Sequence, residues 1–192
     1  MSEVSHSDLL TPSTWVIDAI SRIKAPSRGE RSALDLACGS GRHALYLAEQ
    51  GYEVLAVDKN LSKGLDTFEQ IEYAQMDLEA ELWPLSGKTF DLIVVTNYLY
   101  RPYFDALLRC LKPGGALVYE TFMQGNEEYG RPRNPDFLLR PGELLALCKD
   151  LSVLAFEQGL RAGGSPAMIQ RIVAVLGDWS EIQSHSKLNS RR

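Results

Sequence analysis

The sequence predicts an α/β fold: a doubly wound, mostly parallel sheet with helices on both faces. Three observations carry this reading. Residues 33–48, ALDLACGSGRHALYLA, run from an apolar strand pattern through a glycine turn into an amphipathic helix. Strand-length apolar runs recur at residues 53–58, 71–76, 90–96 and 116–122, separated by helical or turn segments, as in parallel strands joined by crossovers. Two β-rich runs, 151–157 and 167–176, close the pattern, joined through Gly159, Gly163, Gly164 and Pro166 as an antiparallel pair.

The elements follow in order. Residues 1–8 are polar and read as loose, whereas Trp15, Val16, Ala19, Ile20 and Ile23 recur at helical spacing and predict a helix over 11–24 capped by Thr11 or Ser13. Trp15 is read as core in preference to a ligand contact. The first strand spans 33–38 and the next helix 42–50, with Gly51 just past its end. Strand 53–58 delivers Asp58 at its carboxyl end, where ligands bind in open parallel sheets. A weakly apolar helix over 61–70 and a strand over 71–76 lead to Asp77 and Leu78. The near-continuous apolar run 90–96 predicts a central strand buried on both faces, ending at Asn97. A helix over 103–111 stops at the turn Lys112, Pro113, Gly114, Gly115, and strand 116–122 carries Glu120 near its ligand-side end. Pro141 opens a short helix reaching Cys148, and residues 177–192 form a polar tail.

The glycine turn is where chemistry enters. Gly39 and Gly41 allow main-chain conformations that a side chain forbids and let a ligand approach the backbone. The helix that starts near Arg42 points its free N–H groups and positive dipole end at the loop, which favours a negatively charged ligand group and suggests a nucleotide-like cofactor. Gly39, Gly41 and Ala44 also fit the dinucleotide pattern GxGxxA, and Asp58 sits where a ribose diol is held. Asp35, ahead of the glycines, and Asp77, after the third strand, are the discriminating acids. Asp35 has a plainer reading as a loop cap.

The pieces LDLACGSGRHA, VLAVDKN, AQMDLE, FDLIVVTNYLY and LKPGGALVYETF, in that order between residues 33 and 122, resemble the class I S-adenosylmethionine-dependent methyltransferases. The LKPGG turn before an apolar strand is the most telling, because dinucleotide dehydrogenases have no counterpart for it. Among subgroups the chain is most similar to small bacterial methyltransferases of the tellurite-resistance type. The resemblance implies a Rossmann-like, seven-stranded, mostly parallel sheet with an antiparallel C-terminal strand pair. It implies S-adenosyl-L-methionine as cofactor and S-adenosyl-L-homocysteine as product. Asp58 then takes the ribose hydroxyls, Asp77 the adenine amino group, and Asp35 and Gly39 the methionine end. Gly41 gives close backbone approach, and Arg42 or His43 reaches the ligand carboxylate. Ala37, Lys59, Leu78 and Asn97 complete the cofactor set, and Trp83 and Pro84 wall the adenine.

For the acceptor side, the resemblance points to the stretch after Asn97. Tyr98, Tyr100 and Tyr103 can form an aromatic cage, with plain packing as the alternative for each. Tyr98 and Glu120 are the candidate catalytic residues; a structural role is the alternative for Glu120. Tyr98 and Leu99 stand where amino-group methylases acting on adenine carry two prolines, which counts against a nucleic-acid base as acceptor. Residues 123–141 lack periodicity and mix arginines, aromatics and amides, as a substrate lid does. Tyr100, Tyr129, Arg131 and Arg140 are the candidate substrate contacts, suited to a polar or anionic molecule.

Composition sets the bounds. The 192 residues are read as one domain, with 45% apolar and 23% charged residues as in an ordinary globular protein. The net charge of −5 gives no global attraction to nucleic acid or anionic membrane, although a local basic loop can still bind RNA. Cys38, Cys110 and Cys148 lack metal-ligand spacing and form no disulfide framework, so no metal is expected. With no signal peptide and no bilayer-length apolar run, a cytoplasmic location is expected. The preferred function is methyl transfer to a small molecule. An RNA or protein methyltransferase is the first alternative and a non-catalytic cofactor-binding regulator the second; oligomeric state has no signal.

Overall fold

The computed structural model describes residues 11–23, 31–62, 68–161 and 165–177. The chain forms α1 (Thr14–Arg22), β1 (Arg31–Leu36), α2 (Arg42–Glu49), β2 (Tyr52–Asp58), β3 (Ile71–Gln75) and β4 (Phe90–Thr96). A 3-10 turn, Arg101–Tyr103, leads into α3 (Phe104–Leu108), followed by β5 (Leu111–Phe122), α4 (Glu143–Leu147), β6 (Ser152–Leu160) and β7 (Met168–Val175). The expected loose segment 1–8 lies outside the described residues, as do residues 63–67 of the expected helix over 61–70, whose described residues 61, 62 and 68–70 are not helical, and all but Gly177 of the tail.

The seven strands form one sheet in the order β3-β2-β1-β4-β5-β7-β6. All neighbours from β3 to β5 run parallel, and β7 runs antiparallel to both β5 and β6. Strand alternation sorts the core into two layers. Leu92 and Val94 of β4 pack with Trp15, Val16, Ala44 and Leu47 of α1 and α2. Ile93 and Val95, one residue out of phase, pack with Phe104, Leu107 and Leu144 on the other face. Both faces of β4 are covered, which accounts for its unbroken apolar run. The chain order reverses between β1 and β4, so their carboxyl ends open a crevice at a topological switch point.

Several boundaries differ from expectation for local reasons. β1 stops at Leu36 because Ala37 takes a left-handed conformation (φ 56°) that turns the chain. The expected helix over 103–111 is shorter, since Cys110 already accepts from the Phe90 N–H and Leu111 pairs with Phe90. The Lys112–Gly115 stretch is therefore a bulge within β5: Phe90 pairs with Leu111, but Leu92 pairs with Ala116. A Cβ on Gly115 would lie 2.8 Å from the Lys112 carbonyl oxygen and 3.0 Å from that of Phe90. The motif thus shapes the sheet end far from the switch-point crevice.

The segment 123–141 is fastened at its base. Met123 bridges Leu139, and the Gln124 N–H donates to the Leu139 carbonyl at 2.9 Å. Arg101 donates twice to Glu143 (2.6 and 2.9 Å) and also to the Asp136 and Leu138 carbonyls at 2.6 and 2.8 Å. Burial pushes the Glu143 carboxyl up, but Arg101 and the Arg140 N–H outweigh it and hold it below its ordinary range. Asn126 accepts from the Met168 N–H and donates to the Pro132 carbonyl.

Candidate active site

The floor of the crevice is the glycine loop. Gly41 caps α2 in a left-handed conformation (φ 74°) and has no side chain to satisfy the first-turn N–H groups. Asp35 does this from β1: its Oδ2 accepts from the Ala44 N–H at 2.9 Å. Burial raises the Asp35 carboxyl to about 7, against the pull of that hydrogen bond and of Arg42. Asp35 is 1% exposed and is a helix cap beneath the cleft, not part of its lining. Asp35 thus takes the capping role that is its plainer sequence reading, and Gly41, also buried, lies beneath the lining with it.

Above that floor is a cleft of about 410 Å³ that brings together Ala37, Gly39, Arg42, Asp58, Lys59, Asp77, Leu78, Asn97 and Tyr98. Asp58 accepts from the Gly39 N–H through Oδ2 and from the Asn60 N–H through Oδ1, both at 2.9 Å. A carboxylate has about four acceptor sites, so lone pairs remain for a ribose diol. Lys59 pairs with Asp77 at 2.8 Å and, with the Glu79 N–H, holds that carboxyl below its usual range. A Cβ on Gly39 would meet nothing within 4 Å, so the loop is open to a ligand. The volume lies within the ~300–1,000 Å³ of small-molecule sites. Spare carboxylate acceptors, an open glycine loop and a helix N-terminus fit an adenosyl amino acid.

Beside the cleft, sharing Glu79, Asn97 and Tyr98 as a wall, lies a second cavity of about 200 Å³. Asn97 is left-handed (φ 56°), and the buried Tyr98 hydroxyl has no hydrogen-bond partner among the described residues. Burial and the Glu79 carboxylate push the Tyr98 phenol well up, so it keeps its proton.

Other expected residues lie elsewhere. Glu120 is buried, accepting from the Ser13 hydroxyl at 3.0 Å and pairing with Arg171 at 3.2 Å, so it fastens α1 to β7 and lines neither cavity. His43 is 1% exposed: its Nε2 accepts from the Ser13 N–H at 3.1 Å, which puts the proton on Nδ1, 3.4 Å from Thr96 Oγ1. Burial and the Arg42 charge lower it to about 3, and it lines neither cavity. Tyr100 and Trp83 each meet Tyr103 in a tilted ring contact, with centroids 5.4 and 5.3 Å apart, and neither Trp83 nor Pro84 lines the cleft. Tyr129, Arg131 and Arg140 are exposed and reach neither cavity; Pro132 and Phe137 of the same segment do line the second one. Sequence reasoning missed Glu79, Ser40 and Thr96. The AQMDLE piece runs to Glu79, but only Asp77 and Leu78 in it were singled out. Among the described residues, no His, Cys, Asp and Glu group could hold a metal ion, and no helix is long and apolar enough to cross a membrane.

Residues 33–115 match a family model described as a methyltransferase domain. The chain is 30% identical over 175 residues to a tRNA U34 carboxymethyltransferase of Hahella chejuensis, covering 80% of this chain and 52% of that protein. It is 35% identical over 117 residues to a demethylmenaquinone methyltransferase of Clavibacter sepedonicus, covering 54% of this chain and 46% of that protein. The chain thus spans about half the length of the curated relatives it matches. The crystal structure of TehB from Haemophilus influenzae superposes with a TM-score of 0.64 at 21% identity, covering 91% of this chain and 63% of that one. Family match, strand order and glycine-loop geometry agree: the chain has the class I S-adenosylmethionine-dependent methyltransferase fold and resembles the TehB type, and residues 33–115 are similar to a methyltransferase domain.

Proposed function

We propose that the protein catalyses methyl transfer from S-adenosylmethionine to a small-molecule acceptor by in-line displacement. The observation that carries this reading is the cleft at the switch point, where Asp58 keeps unused acceptor sites beside an open glycine loop. When bound, the cofactor supplies a methyl group activated by its sulfonium. Asp58 holds the ribose, Asp77 and Leu78 face the adenine, and Gly39, Arg42 and the α2 N-terminus face the methionine end. Alignment of acceptor and methyl, and exclusion of water, then supply most of the rate. Tyr98 stays protonated and positions the acceptor as a hydrogen-bonding group. The whole chain acts as one domain, with segment 123–141 walling the acceptor side. Its three buried free cysteines suit a reducing cytoplasm.

A second reading, transfer to RNA, is favoured by the relatives named as tRNA U34 carboxymethyltransferases. Incubation with methyl-labelled cofactor, a fractionated metabolite extract and bulk tRNA separates the two. The proposal expects label in the small-molecule fraction at a yield that salt leaves unchanged. Label in tRNA, with binding that weakens steeply as salt rises, establishes the second reading. Cofactor binding without label in either fraction makes the protein a regulator.

A further inference from the structure

The second cavity has a chemical character of its own. Leu99, Phe122, Pro132 and Phe137 make most of it apolar, and Glu79 stands where it meets the cofactor cleft. No arginine or lysine lines it; Arg131, which flanks Pro132, turns to solvent. Its one buried polar atom without a partner is the Tyr98 hydroxyl, whose lone pairs and proton await a ligand. At about 200 Å³ it is smaller than the ~300–1,000 Å³ of drug-sized sites. Lys59 is the nearby cation, and it is already paired with Asp77 at 2.8 Å, so an anionic acceptor would lie against a carboxylate that shares its counter-charge, and a nucleotide would add phosphate to the same repulsion.

We propose that this cavity is the acceptor site and takes a small amine with an apolar body, its nitrogen held between the Glu79 carboxylate and the Tyr98 hydroxyl and its body covered by Phe137. The proposal rests on the methyltransferase reading and narrows it to nitrogen acceptors, against the anionic substrate that the arginines of segment 123–141 suggest. An ammonium pairs with Glu79 on entry and loses one proton to solvent at the mouth. The freed lone pair forms the N–C bond as the S–C bond breaks and its electrons return to sulfur. The methylated nitrogen then carries the positive charge that the sulfonium loses, and no other reactant is needed.

The test compares benzylamine with benzoate, matched in shape and opposite in charge, by calorimetry on protein with and without S-adenosylhomocysteine. Glu79→Gln and Phe137→Ala serve as variants, and S-adenosylhomocysteine affinity is measured in each. The expected result is benzylamine binding that weakens about tenfold in either variant, with S-adenosylhomocysteine affinity within about twofold in Phe137→Ala, whose side chain lines only the second cavity, and benzoate not bound by the unmodified protein. Benzoate binding as tightly as benzylamine, no binding of either, or an unchanged benzylamine affinity in Glu79→Gln overturns the proposal. Benzylamine binding that needs Glu79 in protein that does not bind S-adenosylhomocysteine overturns methyl transfer and leaves the amine site standing.

Discussion

The two ends of the sheet treat their polar groups in opposite ways. At the amino end of β4, Asp91 accepts from the Ser32 N–H, the Ser32 hydroxyl and Lys112, all at 2.8–2.9 Å. Burial pushes its carboxyl up, but these partners outweigh it and hold it below the ordinary range. At the carboxyl end of the same strand, Asn97 is left-handed, the Tyr98 hydroxyl lacks a partner among the described residues, and Ala37 across the crevice is also left-handed. Left-handed non-glycine residues cost on the order of 1–3 kcal/mol each and persist where the surroundings over-determine them. The satisfied end serves the fold; the strained and unsatisfied end is where a ligand has something to complete.

The largest contrast to test is proton linkage, because the carboxyl end holds two buried groups displaced in opposite directions. Asp35, raised from 3.8 to about 7, keeps a proton in the native state that the unfolded chain releases, so its contribution to stability falls as pH rises between about 4 and 7. His43, lowered from 6.5 to about 3, refuses a proton that the unfolded chain binds, so its contribution rises with pH between about 3 and 6.5. Each amounts to roughly 4 kcal/mol across its window, and in the native protein they largely cancel. Asp35→Asn should leave a stability that climbs from pH 4 to 6.5, and His43→Gln one that declines. Urea unfolding at a series of pH values checks this, and parallel profiles for the two variants would sink it.

At the amino end, Asp91→Ala should lower stability by about 1–3 kcal/mol, toward the low side because Lys112 is well solvated. Affinity for S-adenosylhomocysteine should stay within about twofold; a concurrent loss would mean the two ends are coupled. The smallest effect has the reverse sign. Tyr98→Phe removes a buried hydroxyl without a partner and should stabilise the fold by up to about 1 kcal/mol, while slowing methyl transfer. A drop in stability would show that the hydroxyl is already satisfied in solution.

What could be read from sequence was what local pattern encodes. The apolar run of β4 has the bounds expected of it, because burial on both faces leaves no polar interruption. Asp58 was legible from its place at a strand end after a glycine loop. The packing of His43 was not legible because its partner, Ser13, lies 30 residues earlier, nor that of Glu120, because Arg171 lies 51 residues later. Composition marked segment 123–141 for a lid. It could not say that Pro132 and Phe137 face a cavity while Arg131 and Arg140 face solvent, which depends on how Arg101 and Asn126 pin the segment.

The most direct test of the cofactor site is calorimetric titration with S-adenosylmethionine, S-adenosylhomocysteine and NADH, with Asp58→Ala as the control. Saturable binding of both adenosyl ligands and none of NADH is expected. Losing the Asp58 hydrogen bonds should weaken adenosyl binding by about 2–4 kcal/mol, roughly 30- to 1,000-fold. NADH binding with no adenosyl binding, or adenosyl binding that Asp58→Ala leaves intact in folded protein, would contradict it.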